Sequence, residues 1–135
     1  MMAALSVRHW VPLGLAAGVL AACQTAGPGN LTLQSSKAAL PAMERIALAA
    51  NKCWFKSKDR GFSAYRIAPE LNSFSGRPRI LIVPRARPED RPLAVVEGQG
   101  SPATISAYGP LFADSLGNRM AADLRRWNNG SSACA

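Results

Sequence analysis

"RILIVP", Arg79 to Pro84, is a run of aliphatic and β-branched residues closed by a proline. It is too short to make a helix by itself and reads as a strand. Downstream, "PLAVVEG" (Pro92 to Gly98) follows a polar loop, and "ATISAY" (Ala103 to Tyr108) follows a second loop at Gly98 to Pro102. That spacing predicts three strands in meander order. The intervals are too short for crossover helices, so the sheet is expected to be antiparallel. Upstream, "AYRIAPEL" (Ala64 to Leu71) alternates Tyr65 and Ile67 with Arg66, the pattern of a half-buried strand, here expected to start near Phe62. Pro69 limits this strand or places it at an edge.

Helical spacing flanks the strands. In "PAMERIALAANKCWF" (Pro41 to Phe55), Met43, Ile46, Ala47, Ala50, Cys53 and Trp54 recur at steps of three and four. Pro41 suits a first turn, with Glu44 near the start and Lys52 near the end. In "GPLFADSLGNRMAADLRRW" (Gly109 to Trp127), Leu116, Met120, Leu124 and Trp127 share one face, and Arg119, Asp123 and Arg126 the other. The sum is helix, about four antiparallel strands, helix: a small two-layer α+β domain with both helices on one sheet face.

The chain's first residues have a different character. Arg8 and His9 precede an apolar run from Trp10 to Ala22, broken by Pro12, Gly14 and Gly18. A spanning helix needs about 20 apolar residues, and the layout is that of a secretory leader. Leu20-Ala21-Ala22-Cys23 resembles the lipobox of bacterial lipoprotein precursors: an aliphatic residue, two small ones and a cysteine. That resemblance implies cleavage before Cys23, a diacylglycerol thioether on its sulfur and an acyl chain on its new amino group. Two or more chains give stable anchoring where one is marginal. Gln24, in place of the aspartate that retains some lipoproteins at the inner membrane, favours the outer membrane. The expected organisation is a cleaved signal peptide over 1–22, a lipidated flexible tether over 23–36, small, polar and Gly/Pro-containing, and one periplasmic domain over 37–135.

Removing 1–22 leaves 113 of the 135 residues; with Arg8 gone from the 16 basic residues, the net charge is +7 against 8 acidic ones. In the envelope, the polyanions available to such a chain are lipid phosphates, lipopolysaccharide, peptidoglycan carboxylates and acidic protein faces, not nucleic acid. The leader also takes the only histidine, His9. This removes Ser-His-Asp and Cys-His catalysis and the usual zinc sites, so no catalytic residue, metal ligand or cofactor is expected beyond the lipid on Cys23. Cys53 and Cys134, 81 residues apart, are expected to form a disulfide in an exported chain; they lack the CxxC spacing of a redox or metal pair.

Two basic stretches are candidate binding surfaces. In "KCWFKSKDRGF", Lys52, Lys56, Lys58 and Arg60 interleave with Trp54, Phe55 and Phe62, a mixture able to grip an anionic, partly apolar ligand. It equally fits a solvated turn with its aromatics packed inward. In "SGRPRILIVPRARPEDRP", Arg77, Arg87 and Arg91 each precede a proline, which holds them in extended backbone. With Arg79 they could grip phosphate or carboxylate, or simply blunt strand edges. Ser57-Lys58, Glu89-Asp90 and "GQG" lack the geometry of catalytic or phosphate-binding motifs. "FSGRP" (Phe74 to Pro78) resembles, over two residues, the Ser-Gly loop of periplasmic lysozyme inhibitors. The expected function is a non-catalytic accessory module that contacts an envelope protein complex, lipopolysaccharide or peptidoglycan through basic loops. Inhibition of a lysozyme-like enzyme is the alternative, and a hydrolase the reading the missing histidine disfavours.

Overall fold

The structure, a computed structural model, describes residues 26–135; Cys23 and the leader lie outside the described residues. Five strands form one antiparallel sheet: β1 (Asn30–Gln34), β2 (Tyr65–Glu70), β3 (Arg79–Pro84), β4 (Ala94–Gly100) and β5 (Ala103–Tyr108). Their order is β1-β5-β4-β3-β2. The helices are α1 (Ala39–Ala50), α2 (Pro110–Ala113) and α3 (Ser115–Asn128). α1 runs on into a π-helical turn, Asn51–Lys56, and a 3-10 turn follows at Arg60–Phe62. The expected α+β domain and antiparallel meander are present.

The fifth strand is β1, within the stretch expected to be flexible tether. Leu31 and Leu33 sit opposite Ala107 and Ile105 of β5, so their side chains join the helix-covered face. The backbone of 30–34 meanwhile pairs the outer edge of β5. β2 starts at Tyr65 rather than near Phe62: Phe62 is buried in the 3-10 turn, stacked on Trp54 with centroids 4.9 Å apart. β2 forms the sheet edge, where Pro69 removes no ladder hydrogen bond.

Register sets the core. Ile80 and Ile82 oppose Val96 and Ala94, and Val96 opposes Ala107, so this row faces the helices with Met43, Ile46, Trp54, Met120, Leu124 and Trp127, all buried. The continuous apolar run of β3 has a physical reason, since Leu81 and Val83, on the helix-free face, are buried as well.

The second helical stretch is interrupted. Asp114 is extended, and its carboxylate accepts from the Leu116 N–H at 2.9 Å, capping α3 and separating it from α2. Asp123, expected on the solvent face, is buried at 3% exposure. It accepts from Trp54 Nε1 at 2.7 Å and from Arg126, and this pairing is what permits a carboxylate there. Cys53 and Cys134 form the disulfide, holding a tail whose carbonyls take further donors: Trp127 Nε1 reaches Ala133 O at 2.8 Å and Lys52 Nζ reaches Ser132 O at 2.7 Å.

The sheet has two distinct ends. Asn30, Tyr108, Val95, Pro84 and Tyr65 mark the one where the chain arrives. There, Gly27 N donates to Ala113 O at 3.1 Å and Gly29 N to Phe112 O at 2.8 Å. A Cβ on Gly27 would collide with the Phe112 and Asp114 carbonyls, so glycine is what lets the segment lie on α2. The β2–β3 hairpin, the β4–β5 turn and Gln34 occupy the far end.

Candidate binding surface

The candidate residues divide between these ends. Arg77 and Arg79 lie at the far end, and both face carboxylates: Arg77 Nη1 is 3.6 Å from Glu97 and Arg79 Nε 2.5 Å from Glu70. Arg87 lies in the loop after β3, with Nε 3.2 Å from Asp90. β3 separates the two groups by about 20 Å at its rise per residue. Arg77, Arg79 and Arg87 therefore each hold a carboxylate of the chain's own surface.

Lys56, Lys58 and Arg60 are exposed at the arrival end, and their side chains hold no carboxylate among the described residues. The turn that presents them is tightly built. Ser57 Oγ donates to Cys53 O at 2.7 Å, and Lys58 N donates to Phe55 O at 3.2 Å. Lys58 itself has φ 57°, a left-handed conformation uncommon for a residue with a Cβ and sustained only where the surroundings enforce it. Asp59 enforces it from the other side. Its carboxylate accepts from Gly61 N at 2.9 Å and meets Arg119 at 2.5 Å, while the Arg119 guanidinium lies 5.4 Å from the Phe62 ring centroid. The hydrogen bond from Arg119 holds the Asp59 carboxyl below its ordinary value, and Asp59 raises Arg119 in turn. The aromatics do pack inward: Trp54 and Phe62 are buried and Phe55 sits edge-on to Phe62 at 5.7 Å.

That inward packing leaves a recess of about 410 Å³. Trp54, Phe55 and Phe62 form its apolar wall, and Lys58, Asp59, Ser63 and Arg85 stand around it, the Asp59 carboxylate being paired with Arg119. Arg85 Nε donates to Ser63 O at 2.9 Å, which positions the guanidinium, and its two terminal nitrogens have no hydrogen-bond partner among the described residues. Arg85 was not among the candidates drawn from the sequence. Its signal was its place as the first residue past the strand, directly across the sheet edge from the Lys58 turn. The arrangement suits an anion with an apolar portion, gripped by an ammonium and a guanidinium from two loops.

No protein-family model, curated protein or solved structure matches the chain.

Proposed function

We propose that the chain is an envelope lipoprotein, anchored through lipid on Cys23 in the outer membrane and facing the periplasm, that acts by binding rather than by catalysis. Its binding surface is the arrival end of the sheet. The observation that carries the choice is the contrast in partners: Arg77, Arg79 and Arg87 each meet a carboxylate of the chain, while Lys56, Lys58 and Arg60 are exposed with no carboxylate partner among the described residues, Lys58 at the wall of the recess. The ligand is an anionic envelope component or the acidic face of an envelope complex.

In-cell crosslinking of the affinity-tagged full chain tests this. Lys56→Glu/Lys58→Glu/Arg60→Glu should lose the captured ligand, and Arg77→Glu/Arg79→Glu should keep it; the reverse pattern sinks the assignment. The anchor is read from the mass of the N-terminal peptide. Lipid-bearing Cys23 is expected, and an unmodified Cys23 removes the lipoprotein reading.

A second reading has its own support. Phe74 is fully exposed in the β2–β3 hairpin, with Ser75, Gly76 and Arg77 beside it, a projecting tip of the kind that enters an enzyme cleft. Lysozyme activity with and without the purified protein decides it, and unchanged activity removes it.

A further inference from the structure

We infer that the arrival end of the sheet docks on the anionic phospholipid headgroups of the membrane that holds the chain, with the Lys58–Arg85 recess taking a headgroup phosphate. This rests in part on the anchored reading above. The first argument is one of reach. Gly27 is fixed on α2 by its hydrogen bond to Ala113, so only four residue steps separate it from Cys23, and four extended residues span at most about 14 Å. A domain held that closely cannot stand off; whichever end the chain enters lies against the surface.

Charge is the second argument. The end the chain enters is the one with the Lys56–Arg60 turn and the Arg85–Arg91 loop. These two segments carry six cations, Lys56, Lys58, Arg60, Arg85, Arg87 and Arg91, against three carboxylates; Asp59 is held by Arg119 and Asp90 by Arg87, and with the exposed Glu89 counted the excess is still three positive charges. Basic groups near an anionic leaflet each contribute about 1 kcal/mol, and the attraction dies away within a screening length of about 8 Å. The short link, at most about 14 Å even when extended, lets them come within that distance. The third argument is shape. The recess combines two donors, Lys58 and Arg85, with an aromatic wall and the Asp59 carboxylate, whose charge Arg119 offsets, which matches a phosphate ester whose glyceryl C–H groups lie on the rings better than it matches a free ion. Lys58 is held beside it in left-handed backbone by the Asp59 and Ser57 contacts.

The test uses residues 23–135 carrying Cys23→Ser, so that no lipid assists binding; all of the core, the sheet and the disulfide described above lie within 26–135. Flotation is measured with vesicles of phosphatidylcholine alone and of phosphatidylcholine with an equal share of phosphatidylglycerol. The protein should float with the anionic vesicles only. Lys58→Glu/Arg85→Glu should lower that affinity by about tenfold or more, Lys56→Glu/Arg60→Glu by a similar factor, and Arg77→Glu/Arg79→Glu by much less. Lys56 and Arg60 are exposed and make no side-chain hydrogen bond or ion pair among the described residues, so that pair reports on docking even where loss of the Arg85–Ser63 bond disturbs folding. Absence of binding to anionic vesicles, or equal losses at both ends of the sheet, overturns the proposal. Full displacement by inorganic phosphate at constant ionic strength also overturns it and assigns the recess to the free ion. Capture of a protein alone through the same residues in cells, with no affinity for vesicles, does so in favour of a protein ligand. Because the vesicle protein carries no lipid, an unmodified Cys23 in cells would sink the anchored reading without touching this result.

Discussion

Asp59 and Asp123 are two carboxylates with different tasks, and residue-scale chemistry separates them. Asp59 ties the basic turn to α3 through Arg119 and has a lowered pKa for that reason. A depressed carboxyl stabilises the fold fully above its unfolded value, here the ordinary 3.8, and the contribution is lost as pH falls through the lower folded value. Stability of the wild type relative to Asp59→Asn should thus be constant at neutral pH and shrink below about pH 4, as read by urea unfolding at a series of pH values; a difference that grows on acidification would refute the assignment. Asp123 is buried between Trp54 and Arg126. Asp123→Ala leaves the indole N–H without an acceptor and the Arg126 guanidinium without its charge partner, and is expected to cost about 3 kcal/mol. Urea unfolding should show a lower midpoint with an unchanged slope. The sequence placed Asp123 with Arg119 and Arg126 on the polar face by helical spacing alone, and spacing could not register that Trp54, distant in the chain, supplies a donor there.

At the scale of elements, periodicity was informative where a segment carried its own pattern. The inward residues of the first helix, Met43, Ile46, Ala47, Ala50, Cys53 and Trp54, are all buried, and β3, β4 and β5 follow the expected meander. What escaped was set by neighbours. β1 is five residues long and lies among Gly, Pro and Ser residues that read as tether; only the Leu31–Thr32–Leu33 alternation betrayed it, and its partner β5 is more than 70 residues away. For the same reason the two ends of the sheet, which decide how the basic residues group, were not legible, since they depend on strand order. If β1 is an integral strand, Leu31→Ala should cost about 2 kcal/mol, because it empties a buried site facing Ala107. A residue in a loose tether would cost nothing, so thermal unfolding separates the two. The disulfide acts between elements. Joining Cys53 to Cys134 across 81 residues restricts the unfolded chain by about 4.5 kcal/mol in the chain-entropy account, so reduction should lower the unfolding midpoint markedly while the sheet signal in circular dichroism persists at low denaturant.

The whole molecule is polarised along its strands. The end where the chain arrives carries the Lys56–Arg60 turn; the far end carries Phe74, fully exposed, and Lys37, just beyond β1. An apolar groove of about 400 Å³ between α1 and β2, lined by Leu48, Ile67 and Leu71, lies on the flank. If the short link from Cys23 to Gly27 is what presses the arrival end to the surface, its length is a control on orientation. Inserting about twenty Gly and Ser residues before Ala26 gives a flexible segment of about 25 Å root-mean-square span, and the local concentration of the basic end at its own membrane falls accordingly. The readout is acylation of lysines by a soluble amine reagent on anionic vesicles bearing the lipidated protein. With the natural link, Lys56 and Lys58 should react severalfold more slowly than Lys37, which serves as an internal reference because it projects at the far end. With the long link the ratio should rise toward that of the soluble protein, and high salt should raise it further by screening what attraction remains. A ratio that does not depend on link length would mean that the link leaves the arrival end free of the surface, and that the basic turn turns outward to some other ligand.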